Sequence, residues 1–236
     1  ERQTLDVIEE VRGFGSRLGL NVGKLYGTVA LGWDHTIWNV SGAKPLSFES
    51  ATWWFPIVGT VPYLGFFEKD EALEQVQKLE QQGLETYLRR AGAYSTLGYF
   101  EDPILPSMLG WSEWSVARII LHELTHATLW LPGSVDFNES VANFVGDEAA
   151  LKFLQAKYGS KSRAIERAEA SLEDQRTWRI LLQDLYLELS QVYSSPELND
   201  ALKENRKKEL YGSLVDRVKA APFRYPKRYI ALAKQK

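Results

Sequence analysis

An α+β architecture is predicted for this chain of 236 residues, with a small mixed or antiparallel sheet in the N-terminal half packed against a helical C-terminal half. Two observations predict it. Between His35 and Phe67 the texture is Trp, Val, Ile, Thr and Phe broken by glycine and proline, which suits short strands and turns. Beyond Pro106 apolar residues recur at helical spacing almost to the end. No repeat or low-complexity linker interrupts the chain, so residues 1–236 read as one domain. Its α/β-rich part covers 1–110 and its helical part 111–236.

The elements follow in order. Leu5, Ile8, Val11 and Leu18 have helical spacing and predict a first helix over Leu5–Leu20, weakened by Gly13 and Gly15. The uncharged stretch Ser50–Phe67 contains Pro56, Gly59, Pro62 and Gly65, which makes it a buried hairpin or loop rather than a membrane span. Its aromatics Trp53, Trp54, Phe55, Tyr63, Phe66 and Phe67 are expected to pack in the core, a membrane interface being the alternative. Leu73, Val76 and Leu79 sit among Glu, Lys and Gln in a surface helix over Lys69–Gln82, which Gly83 stops. Leu84–Arg90 alternates apolar and polar residues as a strand does and leads into a rim at Ala93–Phe100. Four helices are then expected, over Glu113–Leu131, Phe137–Tyr158, Ser162–Tyr193 and Pro196–Lys219. Ser195 is read as the cap of the last.

Charge excludes some partners. With 28 Lys+Arg against 31 Asp+Glu, the net charge of −3 supports neither nucleic acid nor an anionic membrane as the main partner. The chain has no cysteine, so disulfides and thiolate ligands are excluded and any metal must be held by histidine and carboxylate. It starts at Glu1 without an initiator methionine. An upstream signal or anchor segment, and with it some membrane proximity, is therefore expected to have been removed.

The chemistry concentrates in His122-Glu123-Leu124-Thr125-His126. Residues four apart on a helix are separated by about 40° around its axis, so both imidazoles reach one ion. Glu123 projects to the side, where it can meet a water on that ion but not join its ligands. A random chain of this length carries the pattern roughly once in a hundred, so context must decide. Ile120, Leu124, Ala127 and Leu131 form an apolar stripe away from the histidines, as a buried helix requires. The competing arrangement makes His122 and His126 hydrogen-bonded core residues and pairs Glu123 with Arg118 or Arg90. It would bury three polar side chains together without an ion. His35, beside Asp34, reads as an ordinary surface or hydrogen-bonding residue.

A catalytic tetrahedral site needs a third protein ligand. Pro132-Gly133 ends the first helix, and Asp136-Phe137-Asn138-Glu139 can open an antiparallel one whose first turn faces the histidines. Glu139 is the expected ligand, with Asp136 as its substitute. Alternatively Asp136 caps the helix and Glu139 completes a capping box. Ala142 is small enough to let the two helices approach, while Asn138, Asn143 and Asp147 are near enough to orient ligands.

With these residues in view, His122–His126 followed by Asn138-Glu139-Ser140-Val141-Ala142 resembles the H-E-x-x-H and N-E-x-x-A helices of gluzincin metallopeptidases. The chain also resembles the bacterial predicted zinc aminopeptidases, at Trp53–Gly59, Val61–Phe67, Ala93–Phe100 with Asp102-Pro103, and the two metal-site helices. The resemblance covers about Leu5 to Leu151. It implies a Zn2+ peptidase acting at free N-termini, with a peptide or protein substrate. It also implies a place in the cell envelope or periplasm, the cytoplasm being the alternative. No cysteine is present to carry a lipid, and basic Arg217–Lys236 stands outside the resemblance.

The expected reaction is peptide hydrolysis by a metal-activated water, with Glu123 as the base. Tyr94, in the rim before the active-site helix, is the expected oxyanion donor, with Tyr99 and Tyr158 as competitors. Leu84–Thr96 offers a strand edge for an extended peptide. Glu101, Asp102 and Asp136 are candidates to grip an α-amine. The alternatives are an endopeptidase, a hydrolase of non-peptide amides, and a noncatalytic envelope scaffold whose metal only staples two helices.

Overall fold

The computed structural model describes residues 2–30, 37–56, 59–90 and 102–235. Helix α1 spans Arg2–Arg17 and buries Val7, Ile8 and Val11 at helical spacing. Gly15 weakens the helix in isolation but serves its packing. A Cβ there would lie 2.7 Å from Leu124 Cδ1 and 3.3 Å from Leu121 Cδ2, on the helix that carries the histidines.

Strands β1 (Trp38–Ala43), β2 (Trp53–Phe55), β3 (Gly59–Val61), β4 (Leu64–Phe66) and β5 (Glu85–Arg90) pair only antiparallel. They form a sheet of order β4-β1-β5 and a separate β2-β3 hairpin. In the first sheet Val40 stands between Leu64 and Leu88. Helix α2 (Lys69–Gln81) covers it, with Ala72 and Leu79 packed on Val40. Gly83, at φ +78, supplies the left-handed residue that ends this helix.

The aromatic segment is less buried than expected. Trp54 is 70% exposed, and Phe55, Tyr63 and Phe67 are exposed as well. Strands of three residues present alternate side chains to both faces, and the described residues leave one face of the hairpin and of β4 uncovered. Only Trp53 and Phe66 pack toward the small core under α2.

After a 3₁₀ turn at Pro106–Gly110 come α3 (Glu113–Thr128), α4 (Val135–Tyr158), α5 (Arg163–Ser194), α6 (Asp200–Ala220) and α7 (Pro226–Ala233). Ser112, Ser162 and Asn199 cap α3, α5 and α6, each accepting a backbone N–H three residues on. The cap of α6 is thus Asn199 and not Ser195, which instead closes the C-terminus of α5. Helix α3 stops at Thr128, short of Leu131, because the residue before Pro132 is driven out of helical conformation. Leu131 is accordingly 44% exposed and does not belong to the apolar stripe. Helix α7 lies beyond the four helices expected from the apolar spacing. Its approach is fixed by buried Asp174 on α5, whose carboxylate accepts the N–H groups of Arg224 (2.6 Å) and Tyr225 (2.8 Å).

The principal core joins α1, α3, α4 and the start of α5 around Ile8, Val11, Ile120, Leu121, Leu124 and Leu154. A smaller one, Leu185, Leu189 and Leu214, joins α5 to α6. The sheet reaches the helical half through Tyr87 Oη, which donates to Gln235 (2.9 Å), and the Lys207–Glu85 ion pair. No described helix is long and apolar enough to cross a membrane.

Candidate metal centre

Helix α3 is buried nearly all round, with Val116, Ala117, Ile120, Leu121 and Leu124 at 0% exposure. Among the described elements α1 and α4 flank it. Helix α4 runs antiparallel to it, since Tyr158 reaches Glu113 at one end and Glu139 reaches the histidines at the other. Glu139, Ala142, Gly146, Ala149 and Phe153 recur every three to four residues on α4 and make one seam. The three small residues, Ala142, Gly146 and Ala149, set its depth. A Cβ on Gly146 would lie 2.8 Å from the carbonyl oxygen of Arg118 and 3.2 Å from His122 Cβ.

That close approach brings three ligand atoms together. His122 Nε2 and His126 Nε2 are 3.1 Å apart, and the two oxygens of Glu139 lie 3.4 Å from the first and 3.3 Å from the second. Donors on a tetrahedral ion, at bond lengths of about 2.0 Å, are about 3.3 Å apart. The three side chains therefore form a group able to hold a metal ion. His122 and His126 are buried, whereas the Glu139 side chain is 45% exposed, so the group opens to solvent on the α4 side.

Neither Asp136 nor a capping box takes part. Ser134 is the N-cap residue of α4, without a side-chain bond, and Asp136 lies in the first turn. Asn138, left without an assignment in the sequence, has a definite role. Buried at 2%, it accepts the N–H of Leu131 (2.9 Å) and donates to the Leu131 carbonyl (2.8 Å), pinning the α3–α4 turn one residue before Glu139. Asn143 Nδ2 donates to the Glu139 carbonyl (2.8 Å), and Arg118 Nη2 donates to Asn143 Oδ1 (3.0 Å). Arg118 also pairs with Asp147, so it ties α3 to α4. The β2–β3 hairpin closes on the same turn. Gly59, at φ +83, lies so near that a Cβ would be 2.5 Å from Gly133 N.

Hydrogen bonds from His122 and then His126 hold the Glu139 carboxyl down at about 2, against the upward push of burial. The unfolded value is 4.5. The unfolded chain thus binds the proton more readily, and this group's contribution to stability is complete above about 4.5 and lost as pH falls toward 2. Urea unfolding of metal-free protein is expected to show a wild-type advantage over Glu139→Gln that shrinks across that window.

Gly146→Ala is expected to lower both thermal stability and metal affinity, since overpacking of this kind costs about 1–3 kcal/mol and the α3 backbone at Arg118, with His122 beside it, is what must move. Differential scanning calorimetry and chelator competition measure the two effects.

The other expected residues are distributed unevenly. Tyr94, Tyr99, Glu101 and His35 lie outside the described residues. Tyr158 donates to Glu113 (2.7 Å) and sits nineteen positions along α4 from Glu139, about 28 Å away, too far to assist. Asp102 is fully buried. Tyr63, expected to pack in the core, is 39% exposed, and its phenol is raised by partial burial and then by Glu139, with Arg89 lowering it and Glu123 raising it. It stays protonated and feels both carboxylates of the centre, and a local pattern could not reveal that. The ring of Trp130 meets His126 edge-on, with centroids 5.4 Å apart. A cleft of about 850 Å³ between Trp111, Trp114, Tyr158 and Arg167 lies at the far end of α3 and α4.

A family model described as "Putative aminopeptidase" matches residues 1–235. The match thus runs past Leu151 and takes in the basic C-terminal stretch. No curated protein and no solved structure matches the chain.

Proposed function

The chain belongs to that aminopeptidase family, and from this premise we propose that it is a zinc-dependent aminopeptidase centred on His122, His126, Glu139 and Glu123. The observation that carries the reading is the convergence of two imidazoles and one carboxylate at 3.1–3.4 Å, with Glu123 next to His122 in the chain. Two nitrogens and an oxygen form the donor set that zinc prefers when a fourth position is left for water.

When bound, the ion supplies Lewis acidity that polarises the scissile carbonyl and eases ionisation of water near neutral pH. The chain's own residues do the rest. Glu123 takes a proton from the attacking water and hands it to the leaving amine. Tyr63, a phenol whose proton is held on by partial burial and by the charges of Glu139 and Glu123, is our candidate to donate to the carbonyl oxygen as it gains charge. Tyr94 was expected in that role and lies outside the described residues. Among the described residues strand β5 is an edge of its sheet, the edge on which an extended peptide would pair. A location in the cell envelope belongs to the same proposal, with cell fractionation as its check.

The test is a panel of aminoacyl fluorogenic substrates set beside N-blocked peptides. Cleavage of the free-amine substrates, abolished by a chelator and restored by zinc, is expected. Cleavage confined to blocked peptides would make the chain an endopeptidase, and cleavage of neither would leave the scaffold or a non-peptide amide hydrolase.

A further inference from the structure

The cleft at the far end of α3 and α4 is assembled from distant parts of the chain. The segment opening α3 supplies Trp111 and Trp114, the end of α4 Tyr158, the second turn of α5 Arg167, and the approach to α7 Tyr225. At about 850 Å³ it has the size of a small-molecule site. Its walls are held in place. Trp114 belongs to the principal core, and Trp111 packs against that core. Tyr225 N–H donates to the carboxylate of Asp174 (2.8 Å), which is 1% exposed, and Tyr158 Oη donates to Glu113 (2.7 Å).

The charge on these walls is one-sided. Among the described residues the only carboxylate lining the cleft is Glu113, which already accepts from Tyr158 and lies 3.7 Å from Lys157. Arg167 lines it too, and its guanidinium has no ion pair or hydrogen bond among the described residues. An arginine that faces water needs no partner, but a buried indole N–H does. Trp114 is 9% exposed, and its indole N–H has no acceptor among the described residues. Beside it Ser112 Oγ accepts only the N–H of Ser115 (3.2 Å), so the N–H groups that open α3 at Glu113 and Trp114 stay open at the positive end of the helix.

Donors and positive charge on one side of a cleft call for an anionic acceptor, and four aromatic rings call for an apolar body attached to it. We propose that this cleft is a second ligand site, taking a small carboxylate with an aromatic body. The carboxylate lies between Arg167 and the start of α3, where a planar anion meets the paired donors of the guanidinium, and the ring lies among Trp111, Trp114, Tyr158 and Tyr225. The assignment does not depend on the peptidase reading, since Tyr158 is about 28 Å along α4 from Glu139.

Isothermal titration calorimetry of the full chain with phenylacetate, and with phenylacetamide as the uncharged analogue, tests it. One acid is expected to bind per chain, at least about tenfold tighter than the amide, the factor that a charge-assisted hydrogen bond supplies. Arg167→Gln is expected to erase that preference at an unchanged melting temperature, because the exposed Arg167 side chain bonds nothing in the protein. No binding of the acid up to about 10 mM, a weak limit for a ligand of this size, overturns the site. Equal binding of acid and amide to the wild type overturns the ligand class. A carboxylate can also bind an ion at the metal centre, so the acid is titrated into Glu139→Ala as well. Binding lost there but kept in Arg167→Gln overturns the assignment to the cleft, whereas binding kept in Glu139→Ala and weakened in Arg167→Gln supports it.

Discussion

Glu123→Gln is expected to cut turnover on aminoacyl substrates by roughly a thousandfold while zinc content and thermal stability stay near wild type. Glutamine has the shape of glutamate but cannot accept a proton from water or return one to the leaving amine. Glu123 is 9% exposed on α3, beside His122 but outside the group of three side chains able to hold an ion. Its loss should therefore act on kcat and leave KM almost alone, because the base works in the transition state and not in binding. Steady-state kinetics with equal zinc loading checks this. Unchanged activity in a folded, zinc-loaded variant would remove Glu123 from the mechanism and leave only a structural metal.

Glu139→Ala should have the largest effect on the metal itself. Removing a partner of a metal ligand typically weakens binding 10–100-fold, so losing a ligand is expected to weaken it by more than about a hundredfold. The variant also deprives His122 and His126 of the carboxylate that both contact at 3.3–3.4 Å. Competition against a chromophoric chelator measures the affinity, and peptidase activity should fall in proportion to occupancy. Wild-type affinity in this variant would mean that the ion sits elsewhere.

Much of this centre was legible in the sequence because its parts are local. A four-residue interval on one helix places two imidazoles together, and a proline-glycine turn followed by a capping-like segment points the next helix back. Glu139 followed from that turn without any knowledge of distance. What supports the ligands could not be read in the same way. Asn138 was visible, but its bond to the backbone of Leu131 depends on how the chain leaves Thr128. Gly15 and Gly146 look like helix weaknesses until the neighbouring helix is in place, when each proves to be where two helices touch. Asn21 and Tyr26 carry no signal in the sequence, since their placement comes from long-range hydrogen bonds, Asn21 to Thr128 at the end of α3 and Tyr26 N–H to the Asp102 carbonyl, and not from periodicity. The early stop of α3 was recoverable from Pro132, whose effect on Leu131 the apolar stripe concealed. The sheet's order β4-β1-β5 places the last strand beside the first, a pairing that alternation along single strands does not specify.

X-ray absorption at the zinc edge of the purified protein is the most direct measurement of the central claim. A first shell of nitrogen and oxygen at about 2.0–2.1 Å, with the multiple scattering of two imidazoles that disappears in a His122→Ala, His126→Ala double variant, is the expected result. A shell of oxygens alone, or one indifferent to the loss of both histidines, would contradict it.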